Sequence, residues 1–96
     1  MKILPEPISF EWDKGNIDKN FVRHKVTNRE AEEVFGNNPL ISEDTGHSEK
    51  ERRYRILGVT DKQRFLFLSF TIRKDKIRII SARDMNKKEV SKYEKA

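Results

Sequence analysis

Residues 64–73 read Arg64-Phe65-Leu66-Phe67-Leu68-Ser69-Phe70-Thr71-Ile72-Arg73, and this run decides the fold. Its first half is apolar at consecutive positions, which suits a central strand covered on both faces. Two further strand-like runs, 53–60 and 76–83, flank it. Asp61-Lys62-Gln63 joins the first pair and Lys74-Asp75 the second. Both connections are short enough for antiparallel hairpins. The spacing therefore predicts a three-stranded antiparallel meander.

Upstream the period changes. Ile8-Ser9-Phe10-Glu11-Trp12 alternates apolar and polar residues and predicts a short N-terminal strand. Asp13 is a candidate N-cap for a helix over 14–25, which would place Ile17, Phe21 and His24 on one stripe. Thr27-Asn28-Arg29-Glu30 has the form of a capping box, opening a short helix with Ala31, Val34 and Phe35 inward. Gly36-Asn37-Asn38-Pro39 ends that helix, Leu40-Ile41 is a brief extended piece, and 43–50 is a polar loop. Asn86 to Glu89 repeats the capping signature and opens a C-terminal helix with Val90 and Tyr93 on one side. The expected fold is α+β: one domain over 1–96, with helices on an antiparallel sheet made of the N-terminal strand and the meander.

Composition narrows the function. Of 96 residues, 39% are charged and 34% hydrophobic, but Leu, Ile, Val and Phe make up 25, enough for a core. There is no cysteine, so disulfide scaffolds, thiolate metal sites and cysteine nucleophiles are excluded, and a reducing cytoplasm is the expected location. No apolar run approaches the ~20 residues of a membrane span, and Pro5 and Pro7 interrupt the start, where a signal peptide would need an apolar stretch. The net charge of +5 is uneven: residues 1–48 carry −3 and residues 49–96 carry +8. So basic a half attracts nucleic acid, an anionic membrane or an acidic protein.

Arginines account for much of this. Arg53, Arg64, Arg73, Arg78 and Arg83 fall in the meander or at its strand ends. Planar guanidinium forks match phosphate oxygens, and an aromatic ring such as Phe65, Phe67, Phe70 or Trp12 could stack on a base beside them. The alternative is a row of edge charges that deter aggregation. Simple alternation sends Arg78 and Arg83 to opposite faces. His47, with Glu51 four residues on, is a candidate acid–base pair, whereas His24 on its stripe reads first as a packing residue. No metal-ligand spacing, phosphate-binding glycine loop or Ser–His–Asp arrangement is present.

The ordered set resembles the BrnT family of toxins. The resemblance rests on Phe10-Glu11-Trp12-Asp13, Asn20, His24, residues 30–35, Glu43-Asp44 with His47, residues 51–58, Arg64, residues 79–83, Glu89 and Tyr93. It implies a RelE-like ribonuclease of a type II toxin–antitoxin system that needs no cofactor. It also implies neutralisation by a BrnA-like antitoxin, which supplies the DNA-binding part of a complex that represses its own promoter. Asn16 stands where many relatives have lysine. Lys25 stands where the family usually has glycine, suited to a left-handed helix cap.

The expected chemistry is metal-independent RNA cleavage by the adjacent 2′-hydroxyl. Arg64 and Arg83 would stabilise phosphoryl charge, with Arg53 as a backup, and His47 and Glu51 are the proton-transfer candidates, with His24 as second choice. Arg53, Trp12, His24, Phe70 and Arg78 would bind the RNA. The competing reading is a non-catalytic basic module that docks on an acidic protein or nucleic acid.

Overall fold

A computed structural model describes residues 3–13, 18–47 and 50–96, with the backbone alone at His47. The elements in chain order are α1 (Lys19–His24), α2 (Asn28–Val34), β1 (Leu40–Glu43), a 3-10 turn (Thr45–His47), β2 (Arg53–Val59), β3 (Phe65–Arg73), β4 (Lys76–Asp84) and α3 (Lys87–Lys95). The sheet is antiparallel throughout, in the order β1-β2-β3-β4. The meander forms as its spacing predicts. Lys74 and Asp75 both take positive φ, 50° and 64°, which matches the right-handed twist of the strands they join.

The fourth strand is not the expected one. Phe10 makes only an isolated parallel bridge to Ile77, with hydrogen bonds from Glu11 N to Ile77 O and from Ile77 N to Ser9 O. The sheet's other edge comes from Leu40–Glu43, longer than its two apolar residues suggested. Alternation at 8–12 still has meaning, because Phe10 and Trp12 pack against the core.

One sheet face carries that core. Ile56, Leu66, Leu68, Phe70, Ile77, Ile79 and Ala82 share it and meet Val26, Ala31, Val34 and Phe35 from the helical layer. Gly58 lets α2 approach: a Cβ there would lie 2.5 Å from Val34 Cγ1. Burial at about 25 cal/mol per Å² of apolar surface makes this layer the main stabilising term. Both predicted capping boxes are present, Thr27 with Glu30 and Asn86 with Glu89.

The first helix is shorter than expected and turned differently. Its predicted opening, including Asn16 and Ile17, lies outside the described residues. Asp13 pairs with Arg78 instead of capping it, and Asp18 is the N-cap. Phe21 and His24 are exposed, and the residue that α1 buries is Asn20. Its Oδ1 accepts the Ala82 N–H at 2.9 Å, an edge donor of β4 that no strand covers. A polar anchor thus replaces the expected apolar stripe.

Lys25 closes α1 with φ 57° and ψ 33°, the left-handed conformation expected at that position. A side chain there is strained by about 1 kcal/mol relative to glycine. Lys25→Gly is expected to raise unfolding stability by about 0.5–1 kcal/mol, the larger unfolded-state freedom of glycine taking back part of the gain. Urea denaturation of the two proteins measures it.

Candidate functional site: the open arginine face

The face opposite the core presents rows of residues across the strands. Arg53, Thr71 and Arg78 form one row, and Arg55, Ser69 and Ser81 the next. Leu57, Phe67 and Arg83 form a third, and Arg73 and Lys76 close the near end. Cross-strand neighbours in such rows have Cβ atoms about 5 Å apart.

Arg78 and Arg83 share this face although five positions separate them. Ser69 pairs with Ser81 and Phe70 with Ile79, so Ile80 is an extra residue, a bulge. It shifts the alternation by one and brings Arg83 back to the side of Arg78. Simple alternation, which put them on opposite faces, fails for this reason.

Carboxylates rim the near end. Glu51 accepts from Arg73 Nε at 2.6 Å and Nη2 at 3.2 Å. Arg78 Nη1 reaches Asp13, and Glu11 at 3.5 Å. The Arg73 hydrogen bond, with the charges of Arg73, Arg78 and Arg53, holds the Glu51 carboxyl below its ordinary range. Glu51 is therefore ionised near neutrality but a weak proton acceptor. Thr71 stands between the two arginines in its row at 1% exposure, its hydroxyl donating to Arg52 O at 2.9 Å. Arg55 is exposed and has no ion pair among the described residues.

The expected site residues separate into four places. Glu51, Arg53 and Arg78 come together at the near end of the face. The turn ending at His47 joins β1 to β2 at that same end, where Asp44 N–H donates to Arg53 O. The His47 side chain lies outside the described residues. Arg83 sits two rows along, about 13 Å by strand rise.

Arg64 is at the opposite end, about 30 Å from Glu51 by the same measure. It turns to the helical layer and bonds Asp84, Glu30 and the carbonyls of Lys25 and His24. Its guanidinium ties the end of α1 to the capping box of α2, so it does not join Arg83 over a common phosphate. His24 is exposed at this end, remote from Glu51. Phe70 is fully buried between Phe35 and Tyr54, at ring separations of 5.2 and 5.3 Å, and cannot receive a base. Trp12 packs on the core side and donates to Glu32 Oε2 at 2.7 Å, away from the arginine face.

Sequence reasoning passed over Arg55, at the centre of the face. The i, i+2 repeat of Arg53 and Arg55 in one strand was the available signal.

A family model for the ribonuclease toxin BrnT of type II toxin–antitoxin systems matches residues 12–89, most of the chain. The chain belongs to the BrnT family. A search of the curated proteins finds no significant match. Membership marks the chain as a ribonuclease toxin of a type II toxin–antitoxin system, a family that implies RNA as substrate and a protein antitoxin as partner. The matched BrnT segment holds the whole arginine face except the Glu11 contact. Among the described residues no three His, Asp or Glu side chains gather as a metal site, and no helix is long and apolar enough to cross a membrane.

Acid should loosen this BrnT domain. Hydrogen bonds from Arg64, Arg83 and Arg73 lower the Asp84, Glu89 and Glu51 carboxyls respectively. Burial raises Glu30, but the Thr27 N–H and Arg64 outweigh it and leave that carboxyl lowered too. A carboxylate with a lowered folded pKa contributes stability that is fully present above its unfolded value. That contribution is lost as pH falls through the folded value. The ordinary values here are 3.8 for Asp84 and 4.5 for the three glutamates. The melting temperature is expected to be level with respect to these four groups above roughly pH 5.5, and to fall progressively below about pH 4.5. Thermal melts across that range, at low and high salt, check it.

Proposed function

We propose that this domain, read over 1–96 as RelE-like, is an endoribonuclease that cleaves single-stranded RNA without a metal ion. The observation behind this reading is the open sheet face with Arg53, Arg55, Arg73, Lys76, Arg78 and Arg83 on one side. Its near end offers several cations to one phosphate, enough to balance the extra charge of a five-coordinate phosphorus. Arg53, Arg55 and Arg78 take that role, in place of the expected pair Arg64 and Arg83.

In the reaction the 2′-oxygen bonds to phosphorus while its proton passes to a base. The bond from phosphorus to the 5′-oxygen breaks, and that oxygen takes a proton from an acid. A cyclic phosphate and a 5′-hydroxyl result. His47 is the proton carrier on this reading, because histidine is the side-chain type suited to exchange protons near neutral pH. Glu51, a weak base, anchors Arg73. DNA is a poor substrate because it lacks the 2′-hydroxyl.

A BrnA-like antitoxin neutralises the toxin in the cytoplasm by covering the arginine face. The complex represses its own promoter through the antitoxin's DNA-binding part.

The test is cleavage of labelled single-stranded RNA by antitoxin-free protein in EDTA, beside a His47→Ala, Arg53→Ala double variant. Cleavage by the parent alone, leaving cyclic-phosphate ends, is the expected result. RNA binding with no cleavage by folded parent protein would overturn it and favour a binding module.

A further inference from the structure

Arg83 lies on the arginine face, yet its terminal nitrogens already donate to acceptors of the protein itself. Nη1 donates to Glu89 Oε1 at 2.8 Å and to Asp84 O at 3.0 Å, and Nη2 donates to Glu89 Oε2 at 3.0 Å. A bidentate grip on phosphate needs a pair of donors such as these. Phe67 lies beneath the group: the guanidinium carbon sits over the ring, 4.2 Å from the centroid. Glu89 is itself fixed by the α3 capping box, through Asn86 N at 2.9 Å and Asn86 Oδ1 at 2.8 Å. The guanidinium is thus clamped along one edge and supported from below, with 37% of the side chain exposed.

From this geometry we infer that Arg83 is a nucleobase-stacking platform rather than a phosphate ligand. Its inner face rests on Phe67, and its outer face receives a base of the single-stranded RNA. Guanidinium planes stack on bases as aromatic rings do, and a stack on an arginine already lying on a ring needs no further ordering of the protein. The row of Arg55, Ser69 and Ser81 separates this platform from Arg53 and Arg78, so a strand whose phosphate lies at the near end reaches Arg83 with a neighbouring base. The platform takes over what the sequence assigned to Phe70 and Trp12. Glu89 is its positioning residue. The inference rests on the reading of this face as the RNA site.

The experiment uses two short single-stranded RNA analogues, methylated at every 2′-oxygen so that neither can be cleaved. One carries bases with a single 2-aminopurine, and the other has the same backbone with abasic riboses. Fluorescence anisotropy measures both affinities for the parent, Arg83→Ala and Arg83→Lys, each checked for folding by circular dichroism. The parent is expected to prefer the base-bearing strand by on the order of tenfold. Stacking should also quench the 2-aminopurine emission. Both variants should lose the preference while keeping most of their affinity for the abasic strand. Lysine fails with alanine because it has the charge but no plane.

Retention of the preference by Arg83→Lys would overturn the platform, since charge alone would then suffice. Equal binding of the two strands by the parent would overturn it while leaving the RNA face intact. No binding of either strand by folded parent protein would overturn the RNA face itself and the platform with it.

Discussion

Arg64→Ala is expected to lower the unfolding free energy by about 2–3 kcal/mol and the melting temperature by roughly 10–20 °C, the largest stability loss from any single arginine. The side chain bonds two carboxylates and two backbone carbonyls from three parts of the chain. At 28% exposure it is partly screened by water, so the loss falls below that of a fully buried ion pair. Removal leaves Glu30 and Asp84 as like charges without their common partner. It also leaves the Lys25 and His24 carbonyls, at the end of α1, without a donor. Arg64→Lys recovers less than half, because one ammonium cannot span that set of acceptors. Urea denaturation gives the stability, and cleavage per folded molecule at low temperature gives the activity. Activity within about threefold of the parent is the expected companion result, since the side chain lies at the far end of the sheet from Glu51. A variant with parental stability and no cleavage would return Arg64 to the chemistry.

Arg55→Ala has the opposite signature. It is expected to lower kcat/KM on RNA by about 100-fold, the usual loss for one donor aimed at developing charge. Stability should change by no more than about 0.5 kcal/mol, because the side chain is exposed and its removal orphans no carboxylate. Arg55→Glu goes further, placing a negative charge on the central row. It should weaken RNA binding beyond the alanine variant and flatten its dependence on salt. Removing one cation that neutralises a phosphate reduces the slope of log K against log salt by about 0.7 for a single strand. Steady-state cleavage and a salt titration of binding measure the two effects. Parental kcat/KM in Arg55→Ala would exclude the centre of the face from the site.

Much of the fold was legible because its signals are local. Asn86 and Glu89 lie three residues apart, and a capping box needs nothing else to form. The meander shows in runs of β-branched and aromatic residues, with connectors too short for any other return. The left-handed cap at Lys25 was legible only through the family resemblance, which implies a glycine at that position. Where the reading failed, the deciding partner was distant in sequence. Asn20 is buried because Ala82, on a strand edge, needs an acceptor. Residues 8–12 look like a strand, but only one bridge forms, since Phe10 meets β4 only at Ile77. Phe67 and Phe70 have the same aromatic character, and only the register separates the one beneath Arg83 from the one inside the core.

The candidate site follows the same division. Sequence by itself determined the three meander strands, the two capping boxes, the +8 half and the arginines available to it. It could not determine which of them share a face. That was decided by one bulged residue, Ile80, which reverses the alternation between Arg78 and Arg83, and by the carboxylates that Arg64 and Arg83 meet across the fold. Side-chain direction in a strand has a period of two, so a single inserted residue moves everything beyond it to the other face. Tertiary structure therefore set the places: Arg64 in the helical layer, Arg83 over the ring of Phe67, and Arg53, Arg55 and Arg78 on the open face.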